Sequence, residues 1–364
     1  MSGTARLAAV ALVVGIVLAC TPAEPSPSAA PTPVGTSPSG SPAAVSPSAE
    51  PSEVPIDAAQ WELLEATGPE ARARHSWTVD ASGTIAYLFG GLGTTALGDL
   101  WAYDMSADAW VPLAPAGDGP SARSGHVASW IDGLGLVVFG GTGDGRILGD
   151  LWAYDPEADA WRTVDVEGAA PDARTGACAG LGPDGRWWLV GGQDASGARL
   201  ADLWALDPGG ARWTPVPVDG DGPSGRDGAT CWWTGDGRLV VSGGMIDDET
   251  VVGDRWLLEG VSEGRPRWTR DAVEAVPRAL SAAALSASDM VISGGVGADG
   301  APRDDLVAVD ARTLASRAIP PAGAHPSARS GAASVDDPGG ERTLLFGGVD
   351  EVGPSAEVWA LALP

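Results

Sequence analysis

The chain has 364 residues and a formal net charge of −26, and all 22 of its basic residues other than histidine are arginine. So acidic a balance favours solubility and excludes nucleic acid or an anionic lipid surface as a general partner. The length admits one large domain or two.

At the N-terminus, residues 7–19 are apolar and follow a short segment containing Arg6. This run is too short to span a bilayer comfortably and suits the core of a signal peptide. It ends Val17-Leu18-Ala19-Cys20, which resembles the lipobox of bacterial lipoproteins. The resemblance implies cleavage of residues 1–19 and lipidation of Cys20, so that a membrane is met only through the lipid anchor. An ordinary secretory signal with a chance cysteine is the alternative. Residues 21–57 consist mainly of Pro, Ser, Ala and Thr, a composition that cannot bury a core. With Cys20 they read as a tether. It would reach roughly 115 Å as polyproline helix and about 35 Å as a coil.

From there the chain repeats itself. Residues 120–161 open with Pro120-Ser-Ala-Arg123-Ser-Gly-His126 and continue into the apolar run Leu136-Val-Val-Phe-Gly140-Gly141. They then pass through Asp150-Leu-Trp152-Ala-Tyr154-Asp155 to Trp161. The glycine pair recurs at Gly90-Gly91, Gly140-Gly141, Gly191-Gly192, Gly243-Gly244, Gly294-Gly295 and Gly347-Gly348. Such a period of about 50 residues marks a propeller built of repeated blades. Each unit offers four short stretches of period-2 pattern bounded by Gly and Pro, which read as strands. The third of them covers 100–104, 151–155, 203–207, 255–259, 306–310 and 357–361. The fourth carries Trp110, Trp161, Trp213 and Trp268. The last unit stops after three strands, whereas Trp61 and its neighbours precede the first Pro-Glu-Ala-Arg72. Residues 60–64 are therefore expected to complete the last blade, since an open ring would leave an unpaired edge. The fifth unit is degenerate: Val307 and Ser316-Arg317 stand where the tryptophans belong.

In its Arg-x-Gly-His, Gly-Gly and Asp-Leu-Trp-x-Tyr-Asp motifs, residues 61–364 resemble the kelch-repeat proteins, whose architecture includes the central domain of galactose oxidase. The resemblance implies an all-β, six-bladed kelch β-propeller of four-stranded blades over residues 58–364. Galactose oxidase holds copper with two Tyr, two His and a Tyr–Cys crosslink. Here Tyr87, Tyr103 and Tyr154 all fall within second or third strands, so neither that metal nor any other cofactor is expected.

Six arginines share one register, just before each innermost strand: Arg72, Arg123, Arg174, Arg226, Arg278 and Arg329. The resemblance places them on one face, where they would attract a carboxylate, phosphate or sulfate. Each third strand is preceded by an acid, Asp99, Asp150, Asp202, Asp254, Asp305 or Glu357, so structural ion pairs are the expected use. Cys178 and Cys231 fall four and five residues after their repeat arginines. That offset sets them on opposite faces of their strands and favours two buried free thiols, although an extracytoplasmic site permits a disulfide. Arg74 replaces the glycine found at Gly125, and His75, His126 and His325 all fall in blades six, one and two. A ligand is expected there, at the channel mouth, over Arg72, Arg74, His75, Arg123, His126, His325 and Arg329. Protonation of the histidines would strengthen the site for an anion. The function this implies is a surface-tethered module for a protein, an anionic glycan or a small molecule. The alternative is an extracytoplasmic carbohydrate-active enzyme resembling the six-bladed sialic-acid mutarotases, with no residue assignable as its catalytic acid.

Overall fold

A computed structural model describes residues 58–363 except Asp219, Ala287, Pro338 and Gly340. The expected signal peptide, Cys20 and tether lie outside the described residues. Within them the chain is all-β, and no helix is long and apolar enough to cross a membrane. It forms the six four-stranded antiparallel blades that the repeats predict.

Blade one runs Ser76–Val79, Ile85–Leu92, Ala96–Asp104, Ala109–Leu113, from the axis outward. Blade two follows with Val127–Ile131, Gly135–Phe139, Leu151–Asp155 and Ala160–Thr163. Blades three to five repeat the pattern from inner strands Cys178–Leu181, Thr230–Trp233 and Ala282–Ser286. Blade six takes Ala333–Asp337, Arg342–Phe346 and Val358–Ala362 from the end of the chain and its outer strand, Ala59–Leu64, from the beginning. The closing register runs antiparallel from Gln60↔Ala362 to Leu64↔Val358. Ser76–Val79 lies beside both Val127–Ile131 and Ala333–Asp337, so the ring is shut.

The core is a set of layers between neighbouring blades. Second-strand residues such as Leu88, Phe139, Leu189, Val241 and Leu344 are at most 1% exposed, and burial of a side chain this size contributes about 1.5–3 kcal/mol. The outer-strand tryptophan of one blade packs on the second-strand phenylalanine of the blade before it. Trp110 meets Phe346 at 5.1 Å, Trp161 meets Phe89 at 5.1 Å and Trp213 meets Phe139 at 5.5 Å. In blade five Ser316 occupies that tryptophan register, opposite Val309. Arg255 of blade four, at a register that holds leucine in blades one, two, three and five and Val358 in blade six, fills the place. Its buried side chain donates to Leu314 O at 2.8 Å and Ser316 Oγ at 3.3 Å, and pairs with Asp271. One departure from the repeat thus compensates another.

The paired glycines join the blades. Both members have φ in the left-handed region in every repeat, +62° to +109°. The N–H of the second donates to the carbonyl of the next blade's repeat arginine, as Gly141 does to Arg174 at 2.8 Å. A Cβ on Gly140 would lie 2.6 Å from that carbonyl oxygen, so both backbone conformation and space demand glycine.

One expectation is corrected here. Cys178 and Cys231 form a disulfide, with Cα atoms 6.0 Å apart. They do occupy opposite faces of their strands. In a ring, however, neighbouring blades turn opposite faces toward each other, so the offset brings the thiols together. The bridge closes a span of 53 residues between blades three and four, for which the chain-entropy relation gives about 4 kcal/mol. Replacing both cysteines with serine should lower the free energy of unfolding by about 2–4 kcal/mol. Adding reductant to the wild type should do the same in chemical denaturation, and a midpoint indifferent to both would contradict the bridge.

Candidate channel-mouth site

The loops that lead into the inner strands converge on the propeller axis, where six residues form a closed backbone belt. Gly125 N–H donates to Arg74 C=O, Gly176 to Gly125, Gly228 to Gly176, Leu280 to Gly228, Gly331 to Leu280 and Arg74 to Gly331, at 2.6–2.8 Å. All six hold φ between +56° and +67°. Arg74 and Leu280 adopt this conformation without being glycine, which costs roughly 1–2 kcal/mol each. The belt rims a recess of about 150 Å³, lined by Arg74, Leu280 and the residues that follow the belt, among them His75, His126 and Ser281.

The six repeat arginines are not free to line it. Arg123 is fully buried and donates to Asp150 at 2.7 and 2.8 Å, to Gly140 O at 3.1 Å and to Ser121 O at 2.9 Å. Arg72 binds Asp99, Arg174 binds Asp202 and Arg226 binds Asp254 in the same way. Arg329 pairs with Glu357 and Arg278 with Asp305 through single bonds of 2.7 and 2.6 Å. The tryptophan two residues beyond the acid adds its indole N–H in five blades, Trp152 to Asp150 at 2.7 Å among them. Burial opposes the charge on Asp99, Asp150, Asp202, Asp254 and Glu357, but the Arg and Trp hydrogen bonds outweigh it and hold each carboxyl below its usual range. The stability these pairs lend is present at neutral pH and is lost as pH falls through the lowered pKa values. Of the expected site residues, Arg72, Arg123 and Arg329 therefore sit inside the ion-paired lattice.

The histidines divide. His75 and His126 line the recess but are wedged between blades, His75 against Phe346 and His126 against Phe89, ring centroids 5.3 Å apart in each case. His126 Nε2 bonds Ser76 Oγ at 2.9 Å. Ala333 stands at the register of Ser76 in blade six, and both ring nitrogens of His75 are buried without a partner. Burial first, and the positive charges of Arg72 and Arg123 second, lower both imidazoles to about 3. The expectation that their protonation strengthens an anion site is therefore corrected. They stay neutral, and because their folded-state pKa lies below the unfolded value, acidification below about pH 6.5 destabilises the fold. His325 does not line the recess. It shares the register of Gly68 and Gly119, where an added Cβ would meet the outer-strand Trp110 and Trp161. That position lies toward the blade's outer strand, away from the axis.

Arg74 remains. It lines the mouth, its Nε is buried without a hydrogen-bond partner, and a Cβ on Gly125 would lie 2.7 Å from its Nη2. The guanidinium therefore lies over the belt. Burial pulls its pKa below the usual range, and the charge of Asp227 works against that shift. Asp227 is a departure from its repeat register that the arginine and histidine pattern does not bring out. The signal was there: it interrupts a register otherwise filled by Ala73, Ser124, Thr175, Ala279 and Ser330. It is 5% exposed, its pKa is raised by burial, and Arg199 Nε donates to it at 2.8 Å. Arg199 also binds Asp248, so this isolated acid is engaged in a clasp between blades three and four. Among the described residues, no carboxylate lines the recess itself.

Comparison with known proteins gives a consistent result. The KLHDC2/KLHL20/DRC7 Kelch-repeats domain matches residues 52–244, more than half of the chain. The chain is 31% identical over 202 residues to serine/threonine-protein phosphatase BSL2 of Arabidopsis thaliana, covering 54% of this chain and 20% of that protein. It is 27% identical over 262 residues to acyl-CoA-binding domain-containing protein 4 of Arabidopsis thaliana, 68% of this chain and 38% of that one. Kelch domain-containing protein 3 of Rattus norvegicus is 26% identical over 216 residues, 56% of each chain. The chain thus spans between a fifth and little more than half the length of these relatives.

Proposed function

The chain belongs to the kelch-repeat family, and we propose that its propeller is a binding module, held outside the cytoplasm, that takes an anionic group of a protein, glycan or small-molecule partner at the channel mouth. The observation that carries this reading is Arg74: a largely buried guanidinium with an unpartnered Nε, on a strained backbone where the repeat calls for glycine. Buried charge is costly unless paired and hydrogen-bonded, and Asp227, the nearest carboxylate influence, is bound to Arg199. An incoming anion would complete the pairing. The mutarotase-like alternative receives no support from the recess, which offers no acid to catalyse with.

Arg74→Gly restores the repeat residue, and its stability should equal or exceed the wild type by about 1 kcal/mol, because the left-handed conformation costs glycine nothing. In thermal-shift titrations with acetate, phosphate and N-acetylneuraminate, at least one anion should raise the wild-type Tm and leave Arg74→Gly unmoved. An equal response in both proteins would refute the site.

Tethering rests on residues 1–57, and a place outside the cytoplasm is supported independently by the Cys178–Cys231 disulfide, which suits an oxidising compartment. The relatives described above are from a plant and a rat, so the bacterial lipoprotein reading rests on Val17-Leu18-Ala19-Cys20. Cys20→Ala should move the protein from the membrane fraction to the soluble fraction. A mutant that still sediments with membranes would defeat the lipid anchor.

A further inference from the structure

We propose that the end of the channel opposite the belt docks a partner protein, through a segment that sets a lysine or arginine beside aliphatic side chains. This surface is separate from the mouth over Arg74, and the inference does not rest on an anion binding there. Each inner strand places one residue at this end, paired with the residue four before the double glycine: Val79, Trp130, Leu181, Trp233, Leu285 and Asp336. Inner strands of neighbouring blades touch all the way round, so the six form a ring. Five of them are apolar and one is an acid. Trp130 and Trp233 lean toward the preceding blade. Trp130 stacks on Tyr87 at 5.7 Å, and Trp233 meets Trp188 edge-on at 5.7 Å. Leu181 and Leu285 have the smaller Val137 and Val240 at those second-strand positions, and stand 42% and 44% exposed. Blades three, four and five thus present two exposed leucines on either side of a tryptophan. A contiguous apolar surface of this kind marks an interaction site.

Charge selects the occupant. Asp336 is half-buried and accepts a hydrogen bond from Ser286, the neighbour of Leu285, and among the described residues no arginine pairs with it. Burial raises its pKa, so a cation brought beside it restores the charge that desolvation disfavours. The turns of blades one and two at the same end add Asp80, Asp104, Asp132 and Asp155, which also make no ion pair among the described residues. A second copy of this chain would bring the same acids and a net charge of −26, and residues 21–57 contain acids but no lysine or arginine. Anionic lipid is repelled in the same way. A basic segment with aliphatic neighbours matches both parts of the ring, its cation against Asp336 and its apolar side chains against Leu285, Trp233 and Leu181.

The test uses the whole protein with methyl-labelled Leu and Val, and the peptide acetyl-Leu-Lys-Leu-amide as the probe. The peptide should shift the methyl resonances of Leu181 and Leu285 saturably and leave those of Leu280, at the opposite mouth, unmoved. Acetyl-Leu-Gln-Leu-amide lacks the cation and acetyl-Ser-Lys-Ser-amide lacks the apolar groups, and each should bind about ten-fold more weakly. Leu285→Ser changes an exposed position, and Asp336→Asn keeps the shape and the bond to Ser286. Each should weaken the probe about ten-fold. Absence of shifts at Leu181 and Leu285, equal binding of the three peptides, or undiminished binding to a folded Leu285→Ser or Asp336→Asn protein would each overturn the proposal. The same shifts produced by concentrating the protein alone, or by phosphatidylglycerol vesicles, would assign the surface to a second copy or to a membrane and overturn it as well.

Discussion

Deleting residues 58–66 should leave a chain that unfolds well below the wild-type temperature and self-associates. Ala59–Leu64 supplies the outer strand of blade six, five residue pairs deep against Val358–Ala362. It is also flanked on its other side by Pro321–Ala322, in parallel. Ala59 is fully buried, and Trp61 packs edge-on against Trp359 with centroids 6.5 Å apart. Trp61 is partly buried, so its loss costs less than the about 3–5 kcal/mol of a fully buried tryptophan, yet with the lost strand pairing it takes a large share of the ~5–15 kcal/mol that separates folded from unfolded domains. Removal also exposes the edge of Val358–Ala362, whose N–H and C=O groups would template association with another copy. Denaturation and light scattering of the truncated protein check both effects. Unchanged melting and a monodisperse monomer would show that the ring does not need its N-terminal strand.

A second large effect is expected from Asp150→Ala. It leaves Arg123, fully buried, without its bidentate partner, and Trp152 without its acceptor. Breaking a buried pair by removing one member costs about 3–5 kcal/mol. The 40% exposure of Asp150 places this one toward the lower end, because solvent screens part of the interaction. The same substitution at Asp305 should cost less, since that carboxylate accepts a single bond from Arg278 and none from an indole. Urea denaturation of the two variants in parallel checks the ranking. If Asp150→Ala loses under 1 kcal/mol, or if Asp305→Ala loses more, the lattice is not what holds the loops.

Whatever the chain repeats was legible before the structure. The glycine pairs, the strand quartets and the six-fold register of arginine and acid are each written several times over, so one unit corrects the reading of another. The N-terminal closure followed from the count of outer strands, which Trp61 completes. Single departures were harder. Arg74 stood out against Gly125, but Arg255 and Ser316 explain each other only once blades four and five are side by side. Strand faces taken one blade at a time set Cys178 and Cys231 apart, whereas ring geometry sets the face of Cys178 against that of Cys231. Blade number alone groups His325 with His75 and His126. Its register with Gly68 and Gly119, which abut outer-strand tryptophans, would have placed it correctly. The belt from Arg74 through Gly331 is made of backbone atoms, and the sequence carries only its shadow, a glycine before four of the six inner strands.

Arg74, set against the six ion-paired repeat arginines, offers the sharpest trial of an anion site at the channel mouth. Crystals soaked in bromide and measured for anomalous scattering report where anions settle. A bromide is expected at the channel mouth in contact with the Arg74 guanidinium, absent from Arg74→Gly crystals, and none displacing the carboxylates of Asp99, Asp150, Asp202 or Asp254. Bromide at those paired arginines with none at Arg74 would contradict it.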